Sequence, residues 1–396
     1  MQDASPVPVL ALHSIAPPHD HVLRGLSLPV TLFERMLAYL RGAGFQAVDL
    51  HDVQRHLAEG RPLPRRAFAI TFDDGYLDNW VYALPLLERY GMKATLFVST
   101  SFIDPDEQVR PTLADVWAGR IAAHELEWWG HLRWAELQRM QASGVIDVQS
   151  HTVRHDRQFV GPRIVDFLHP RADHHWLYWQ ARPARRPHWL GDDFQAAHVP
   201  GTPVHEHAPA LLGPRYTPPP ALAAACVEHV ACHGGAAYFA RAEWRADLLA
   251  VAARAAREAG EGSYESDDAW RTRVTAELAD SRALLEQRLD KPVDLLCWPF
   301  GDYHPELQRL AIERCGYTAT VNVAKRANRR GDDPRELSRV VFEQDYAGPA
   351  REALVFAHFV GMMHFRCGER HAWPVAPLTR RVMRVGRAWQ RLRGRA

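Results

Sequence analysis

The sequence has no apolar run of the eighteen or so residues that a membrane-spanning helix needs. Its most hydrophobic late segment, residues 354–365, is short and is interrupted by His358 and His364. The first residues carry Asp3 where a secretory signal has basic residues, so no signal peptide is predicted. The five cysteines are an odd number without a CxxC pair, which predicts reduced thiols in a cytoplasmic protein.

The chain also has little net charge, +1 from 48 basic and 47 acidic residues. This balance excludes the overall basic charge that is typical of nucleic-acid-binding proteins. Residues 378–396 differ, because they contain arginines and no acidic residue. Leu378, Val382, Val385 and Trp389 fall roughly on one helical face there. The segment is therefore either a solvated tail or a basic amphipathic helix that lies on an anionic membrane surface.

What the 396 residues do contain is a composition typical of a globular protein, with 47% hydrophobic and 24% charged residues. Short apolar runs alternate with helix-period stretches up to about Asp156, and the alternation resumes near residue 271. We predict the first part of a barrel in 1–156, an inserted cap in 157–270, the second part of the barrel in 271–350 and a C-terminal extension with a basic tail in 351–396. Seven or eight β/α units favour a barrel over an open sheet.

Two adjacent acids, Asp73 and Asp74, follow the apolar strand predicted for 67–72. Burying two carboxylates is costly, and the carboxyl end of a barrel strand is where active sites lie. Neighbouring residues on an extended chain point in opposite directions, so the two acids are expected to have different roles, such as metal ligand and base. The alternative is a simple Asp-Gly turn in which Asp73 caps the next helix.

Two histidines, His151 and His155, follow another apolar run four residues apart. At this spacing both imidazoles can face one metal ion, and together with a strand-end aspartate they predict a catalytic metal site. The alternative is that they are two of the 22 scattered histidines of this chain. The co-occurrence of both motifs on separate β/α units favours the metal site.

The combination of TFDDG with SHTVRH resembles the NodB-like polysaccharide deacetylases, carbohydrate esterase family 4. The resemblance covers roughly 7–105, 134–156 and 272–345, and it leaves out the insertion 157–270 and the C-terminal tail. It implies an α/β fold, a distorted (β/α)7-type barrel with a large insertion after the HTVRH motif.

This resemblance implies that Asp74, His151 and His155 bind one divalent metal ion, zinc in most members and cobalt or nickel in others. It implies that Asp73 is the general base. The late Leu-x-His motif, which carries the catalytic acid in many members, has no convincing counterpart here. A permuted branch that acts on exopolysaccharides has its histidine in the first strand, and His13 is similar to it, although Leu12 replaces the usual tyrosine. His13 is therefore assigned as the acid, the alternative being a histidine that merely ends a strand.

Two further residues enter through the same resemblance. Phe300, in the sequence WPFG, is similar to a segment whose backbone N–H helps to hold the oxyanion, and a backbone donor does not need the tyrosine hydroxyl of the family. Arg339, in LSRV, lies where the permuted branch has Leu-Pro-Arg. It is expected to orient Asp73 or balance its charge, the alternative being one of many surface arginines.

The insertion gives weaker signals. His205 and His207 form either a second metal site or, as we expect, part of a loop over the barrel mouth. Trp176, Trp179 and Trp189 either stack on sugars or, as we expect, pack in a core. An insertion directly after the HTVRH motif is expected to narrow the groove and to favour a short, defined glycan.

The sequence therefore predicts a metal-dependent hydrolase that removes N-acetyl groups from amino sugars of a glycan or glycolipid. The alternatives are a hydrolase of a non-sugar cyclic amide on the same fold and an inactive glycan-binding protein, although the intact acids and histidines argue against the latter. The expected partner is an N-acetylated glycan or a lipid-linked saccharide, and no nucleic acid. The expected location is cytoplasmic, with peripheral contact at the inner membrane face through 378–396. No oligomeric state is predicted.

Overall fold

The computed structural model describes residues 5–22, 24–341 and 349–369, without the side chains of 349–351. The strands are β1 Val9–Leu12, β2 Ser14–Ala16, β3 Ser27–Pro29, β4 Gln46–Ala47, β5 Ala67–Phe72, β6 Ala94–Val98, β7 Ile146–Ser150, β8 Arg157–Phe167, β9 Pro203–Pro209, β10 Tyr216–Thr217, β11 Ser263–Tyr264, β12 Leu295–Cys297, β13 Ala319–Asn322, β14 Glu336–Ser338 and β15 Val340–Val341. The α-helices are α1 Val30–Gly42, α2 Leu50–Glu59, α3 Leu84–Tyr90, α4 Leu113–Trp117, α5 Trp134–Ala142, α6 His175–Ala181, α7 Pro220–Cys232, α8 Trp244–Ala259, α9 Asp267–Leu289, α10 Pro305–Arg309 and α11 Pro349–Arg366.

Eight parallel strands form a nearly closed barrel in the order β14, β13, β12, β7, β6, β5, β1, β15. Strands β14 and β15 belong to one extended segment, 336–341, which is divided by Arg339. Its first half pairs with β13 and its second half pairs with β1, so this one segment joins both ends of the sheet. When β14 and β15 are counted as one strand, the barrel has seven strands. The predicted (β/α)-barrel fold is confirmed.

The barrel strands are short apolar runs because both of their faces are covered. Every residue of β5 and β6 is buried, as expected for a parallel sheet with side chains filling its interior and helices packed outside. The barrel interior contains small and branched residues together with Phe97 and Cys297. Outside, α1 turns Leu32, Phe33, Met36, Leu37 and Leu40 towards the strands at helical spacing.

The segment between β7 and α9 contains most of the irregular structure. β8 and β9 form an antiparallel pair, and β10 pairs with β11. α7 and α8 pack on each other around a separate apolar cluster that includes Phe167 and Leu248. A second, aromatic cluster joins this segment to the barrel, because Tyr76 and Phe102 pack with its tryptophans.

The prediction of a loop around His205 and His207 is wrong, since both residues belong to β9. His205 faces the carbonyl oxygen of Pro162 at 2.9 Å, and His207 accepts a hydrogen bond from Arg157. Neither histidine belongs to a group of potential metal ligands among the described residues.

The helix α11 was not predicted. Phe359 and Met363 on this helix are buried in the same core as α1. The residues of the predicted amphipathic segment, 378–396, lie outside the described part of the chain. None of the helices within residues 5–22, 24–341 and 349–369 combines the length and apolarity needed to cross a bilayer.

Candidate active site

Asp73 and Asp74 lie at the carboxyl end of β5 and point to different neighbours. Asp73 is directed to Arg339, whereas Asp74 is directed to His151 and His155. The chain reverses at Asp74, whose φ of 73° is in the left-handed region, and Gly75 continues the turn at 81°. A non-glycine residue with this backbone angle is strained, and such residues concentrate at functional sites.

Arg339 binds Asp73 through two hydrogen bonds, of 2.6 and 2.8 Å, from its two terminal nitrogens. The guanidinium also donates to Thr71 Oγ1 at 3.1 Å and to Cys297 Sγ at 2.9 Å. Both partners are inside the protein, with Asp73 4% and Arg339 1% exposed. Burial alone would raise the pKa of Asp73, but the charge of Arg339 lowers it, so this carboxylate is ionised at neutral pH.

The loop that carries His151 and His155 is fixed from two sides. Directly after β6, Ser99 Oγ donates to the His151 carbonyl oxygen at 2.9 Å, and the Thr100 N–H donates to the Thr152 carbonyl oxygen at 3.1 Å. From α9, the buried Glu277 accepts the N–H groups of Val153 and Arg154 at 3.1 and 2.6 Å.

This anchoring holds His155 at a φ of 50° and turns it back towards Asp74. His151 Nε2 and His155 Nε2 lie 3.4 and 3.5 Å from the same oxygen, Asp74 Oδ1. The other nitrogen of His151, Nδ1, lies 2.9 Å from the Cys297 carbonyl oxygen, an arrangement that requires Nδ1 to carry the proton. Nε2 of His151 faces Asp74 and His155. Burial alone would lower the pKa of His151, but the neighbouring Cys297 and Asp74 raise it well above its usual value, so a metal ion has to displace the proton on Nε2. Burial lowers the pKa of His155 to about 4, so this imidazole is neutral.

Asp74, His151 and His155 fit a divalent metal ion. Their ligand atoms lie within 4.8 Å of one another, and the buried Asp74 Oδ1 has no hydrogen-bond partner among the described residues. A carboxylate oxygen without a hydrogen-bond partner, between two imidazoles, is the donor set of a catalytic zinc site once His151 has lost its Nε2 proton, and the Nδ1 contact of His151 is the support such a ligand needs.

A second group of potential ligands, formed by Asp73, His151 and Cys297, fits a metal ion less well. Both oxygens of Asp73 already accept hydrogen bonds from Arg339. Burial raises the pKa of the Cys297 thiol, which keeps it protonated, whereas a metal ligand must be a thiolate.

The remaining predicted residues border the same cavity. His13, at the end of β1, has its Nε2 atom 3.9 Å from Asp73 Oδ2. Phe300 adopts a φ of 61° in the turn after β12 and is 41% exposed. Its ring lies 4.4 Å from that of His155, centroid to centroid. Asp73, Asp74, His13, His151, His155, Phe300 and Arg339 are thus all brought together at one mouth of the barrel.

The cavity has a volume of about 420 Å³, which falls within the range of small-molecule sites. The residues of this cavity that were not foreseen include Tyr76 and His131, whose rings stack at 5.5 Å. Burial and the nearby Asp74 raise the pKa of Tyr76, so it remains a neutral phenol. Burial lowers the pKa of His131 to about 4. Tyr76 could have been inferred from its place directly after the Asp-Asp-Gly turn, whereas the sequence around His131 carries no signal.

Part of this site lies in a segment that matches a known family model. Residues 60–171 match the model of the polysaccharide deacetylase family. Asp73, Asp74, His151 and His155 lie inside this range, whereas His13, Phe300 and Arg339 lie outside it. The resemblance inferred from the motifs is therefore confirmed.

Two curated relatives and one solved structure are similar to the chain. YxkH of Bacillus subtilis (strain 168) is 29% identical over 149 residues, 38% of this chain and 43% of the relative. The poly-β-1,6-N-acetyl-D-glucosamine N-deacetylase of Escherichia coli (strain K12) is 25% identical over 129 residues, 33% of this chain and 18% of the relative. The chain thus spans less than half the length of these two relatives. The deacetylase domain of BpsB from Bordetella bronchiseptica matches the fold with a TM-score of 0.51 and 19% identity, over 86% of this chain and 96% of that one.

Proposed function

We propose that this chain, whose residues 60–171 match the model of the polysaccharide deacetylase family, removes an N-acetyl group from an amino sugar of a glycan. The observation that carries the proposal is the pairing of the buried Asp73 with Arg339 beside the group formed by Asp74, His151 and His155. Such a site holds an ionised base next to a metal-binding donor set.

Hydrolysis of an amide needs an attacking water, a polarised carbonyl and a proton for the leaving amine. A divalent ion held by Asp74, His151 and His155, zinc in our proposal, would supply Lewis acidity towards the carbonyl and the water. Asp73 accepts the proton of the attacking water, and Arg339 keeps this base oriented. His13, whose Nε2 atom lies 3.9 Å from Asp73 Oδ2, gives a proton to the leaving amine. The backbone N–H of Phe300 is assigned to the oxyanion.

The substrate class is supported by the name of the Escherichia coli relative, which acts on poly-β-1,6-N-acetyl-D-glucosamine. For this chain we propose an N-acetylated amino sugar within an oligosaccharide. Oligomers that are joined through different glycosidic linkages are to be compared as substrates, and this comparison identifies the preferred linkage.

The experiment measures acetate released from a panel of N-acetylated oligosaccharides, with and without a chelator. The Asp73→Asn variant is compared with Asp280→Asn, an exposed acid on α9. Release that stops with chelator and with Asp73→Asn, but continues with Asp280→Asn, supports the proposal. Release that is unaffected by chelator, or release only from cyclic amides, contradicts it.

A lipid-linked saccharide and a peripheral membrane contact stay predictions that depend on residues 378–396, and a cytoplasmic location stays a prediction that depends on the cysteines. The membrane contact is tested by cosedimentation of the full chain with vesicles containing anionic lipid, beside a chain that ends at residue 377. Equal cosedimentation of the two chains would dispose of the membrane contact.

A further inference from the structure

Two buried side chains behind the candidate active site hold the segment that carries His13. Asp78 directly precedes the π-helix Asn79–Ala83, and Asn79 begins this helix. Asp78 is 2% and Asn79 1% exposed, and neither is among the described residues that border the cavity. The proposed reaction therefore gives them no direct contact with a substrate, although they follow Asp73 closely in the chain.

The carboxyl group of Asp78 contacts the two residues that follow His13. Asp78 Oδ1 accepts a hydrogen bond of 3.1 Å from the Ile15 N–H, and Asp78 Oδ2 lies 2.5 Å from Ser14 Oγ. The Ser14 hydroxyl group also lies 2.8 Å from Ser27 Oγ on β3, the strand that pairs with β2. Burial raises the pKa of Asp78 to about 7, but both protonation states keep the contact with Ser14, because a hydroxyl group donates to a carboxylate and accepts from a carboxylic acid.

The side chain of Asn79 holds the backbone of His13 itself. Asn79 Nδ2 donates to the His13 carbonyl oxygen at 2.8 Å and to Asp78 Oδ1 at 2.7 Å. The second of these bonds fixes the orientation of the amide, because a rotated amide would place its oxygen against the carbonyl oxygen of His13. Together, the two side chains therefore hold three consecutive residues, 13–15, where the chain leaves β1.

This attachment links the proposed acid to the proposed base. The Asp73 N–H donates to the Leu12 carbonyl oxygen at 3.0 Å, so the segment 73–79 holds the chain immediately before His13 as well as after it. The His13 side chain borders the cavity and is 24% exposed, and its place therefore depends on the backbone that carries it. A reacting group that is fixed in this way before a substrate arrives needs no reordering at the moment of reaction.

We propose that Asp78 and Asn79 are positioning residues, which hold His13 at the leaving amine by fixing the backbone of residues 13–15. This inference rests on the proposed function, in which the C–N bond breaks as the amine nitrogen takes the proton of His13. Loss of either side chain displaces the acid and leaves the metal-binding group in place. The expected consequence is a lower kcat for substrates whose leaving group has to be protonated, with KM almost unchanged.

The test compares an N-acetylated oligosaccharide with para-nitrophenyl acetate as substrates of the full, zinc-loaded chain. Only the first needs an acid, because an amine leaves after protonation whereas para-nitrophenolate leaves as an anion. Asp78→Ala and Asn79→Ala should lower kcat for the oligosaccharide about 10- to 100-fold, and ester hydrolysis less than about threefold. Asp78→Asn should keep the activity of the parent, since its amide still accepts from Ile15 and donates to Ser14. The control is Asp104→Ala, at an aspartate that is 6% exposed and accepts hydrogen bonds from Asp106 and Arg133 instead; it should leave both rates unchanged.

The place of His13 is measured without catalysis, from the imidazole NMR signal that His13→Gln removes, and folding is measured by the thermal midpoint. The signal should shift in both alanine variants and stay unchanged in Asp78→Asn and Asp104→Ala. Ser14→Ala, which removes one contact of Asp78, should show a smaller shift in the same direction, and it replaces the alanine variants if these do not fold. Equal losses on both substrates, or folded variants with the kcat and the His13 signal of the parent, would overturn the positioning role and leave the proposed reaction intact. A shifted signal in variants of a parent that releases no acetate from any oligosaccharide would support the attachment of His13 and refute the proposed reaction.

Discussion

Replacing Arg339 by methionine removes the charge that faces Asp73 inside the barrel while keeping most of the side-chain volume. The change leaves a carboxylate that is 4% exposed without the two hydrogen bonds of 2.6 and 2.8 Å that it now accepts. Breaking a buried ion pair on one side costs about 3–5 kcal/mol, because the remaining charge is uncompensated. We expect the free energy of unfolding of Arg339→Met to fall by about this amount.

The assay is denaturant unfolding of Arg339→Met, Asp73→Asn and the double variant at one pH. Because the double variant contains neither charge, its loss should be smaller than the sum of the single losses by at least about 2 kcal/mol. Arg335→Met is the matched control, since Arg335 pairs with Asp333 in the same region at 3.0 Å with both side chains exposed. An exposed pair is worth about 0–1 kcal/mol, so the control should change little.

Additivity would refute this reasoning. If the losses of the two single variants add to within about 0.5 kcal/mol, the two residues are not energetically coupled and Arg339 does not stabilise the charge of Asp73. Equal effects of Arg339→Met and Arg335→Met would refute it as well.

Three further predictions concern the metal, the pH dependence and the turn after β12. His155→Ala should lower the zinc content from about one ion per chain to well below half an ion per chain, measured by elemental analysis after dialysis. The control His124→Ala, at an exposed histidine, should keep its zinc. Equal zinc content in the two variants would reject His155 as a ligand. Burial raises the pKa of Asp78 to about 7, so between pH 4 and 7 the folded state keeps a proton that the unfolded state loses, and Asp78 by itself contributes a fall of up to about 4 kcal/mol in the free energy of unfolding as the pH rises. Asp78→Asn should remove this contribution, so the difference in the free energy of unfolding between the variant and the parent in urea titrations should change with pH over this range, and a constant difference would contradict it. Phe300→Gly keeps the backbone N–H and suits the φ of 61°, so acetate release should fall less than about tenfold; a loss above a hundredfold would assign the role to the ring.

Local pattern predicted the barrel strands other than β14, because each is a short apolar run with a sharp boundary. β5 was predicted to the residue, since Arg65 and Arg66 precede it and Asp73 follows it. β8 was not predicted, because its eleven residues mix polar, charged and glycine positions and its pairing with β9 is distant in sequence. α11 was missed because His364 interrupts an apolar run, and only the fold reveals its 2.7 Å contact with the Tyr39 hydroxyl.

The candidate site divides in the same way. The grouping of His151 and His155 with a strand-end aspartate follows from spacing and from the common edge at which parallel strands end, whereas the choice of Asp74 over Asp73 came from the resemblance. The contact of Asp73 with Arg339 joins residues 266 positions apart, and sequence offered only a resemblance for it. The support of the histidine loop by Glu277 and the attachment of residues 13–15 to Asp78 depend on how distant elements pack, which no local pattern records.

The segment 336–341 is synthesised after the other barrel strands, and both the closure of the barrel and the ion pair of Asp73 depend on it. A nascent chain that stops before residue 336 has made β1 and β13 but not the segment that pairs with both, so two strand edges stay open. Open edges invite pairing with other chains. The same incomplete chain lacks Arg339, so Asp73 has no cation beside it. The segment 336–341 therefore closes the sheet and also supplies the cation that pairs with the proposed base. A truncated product is aggregation-prone, and its Asp73 lacks the arginine partner.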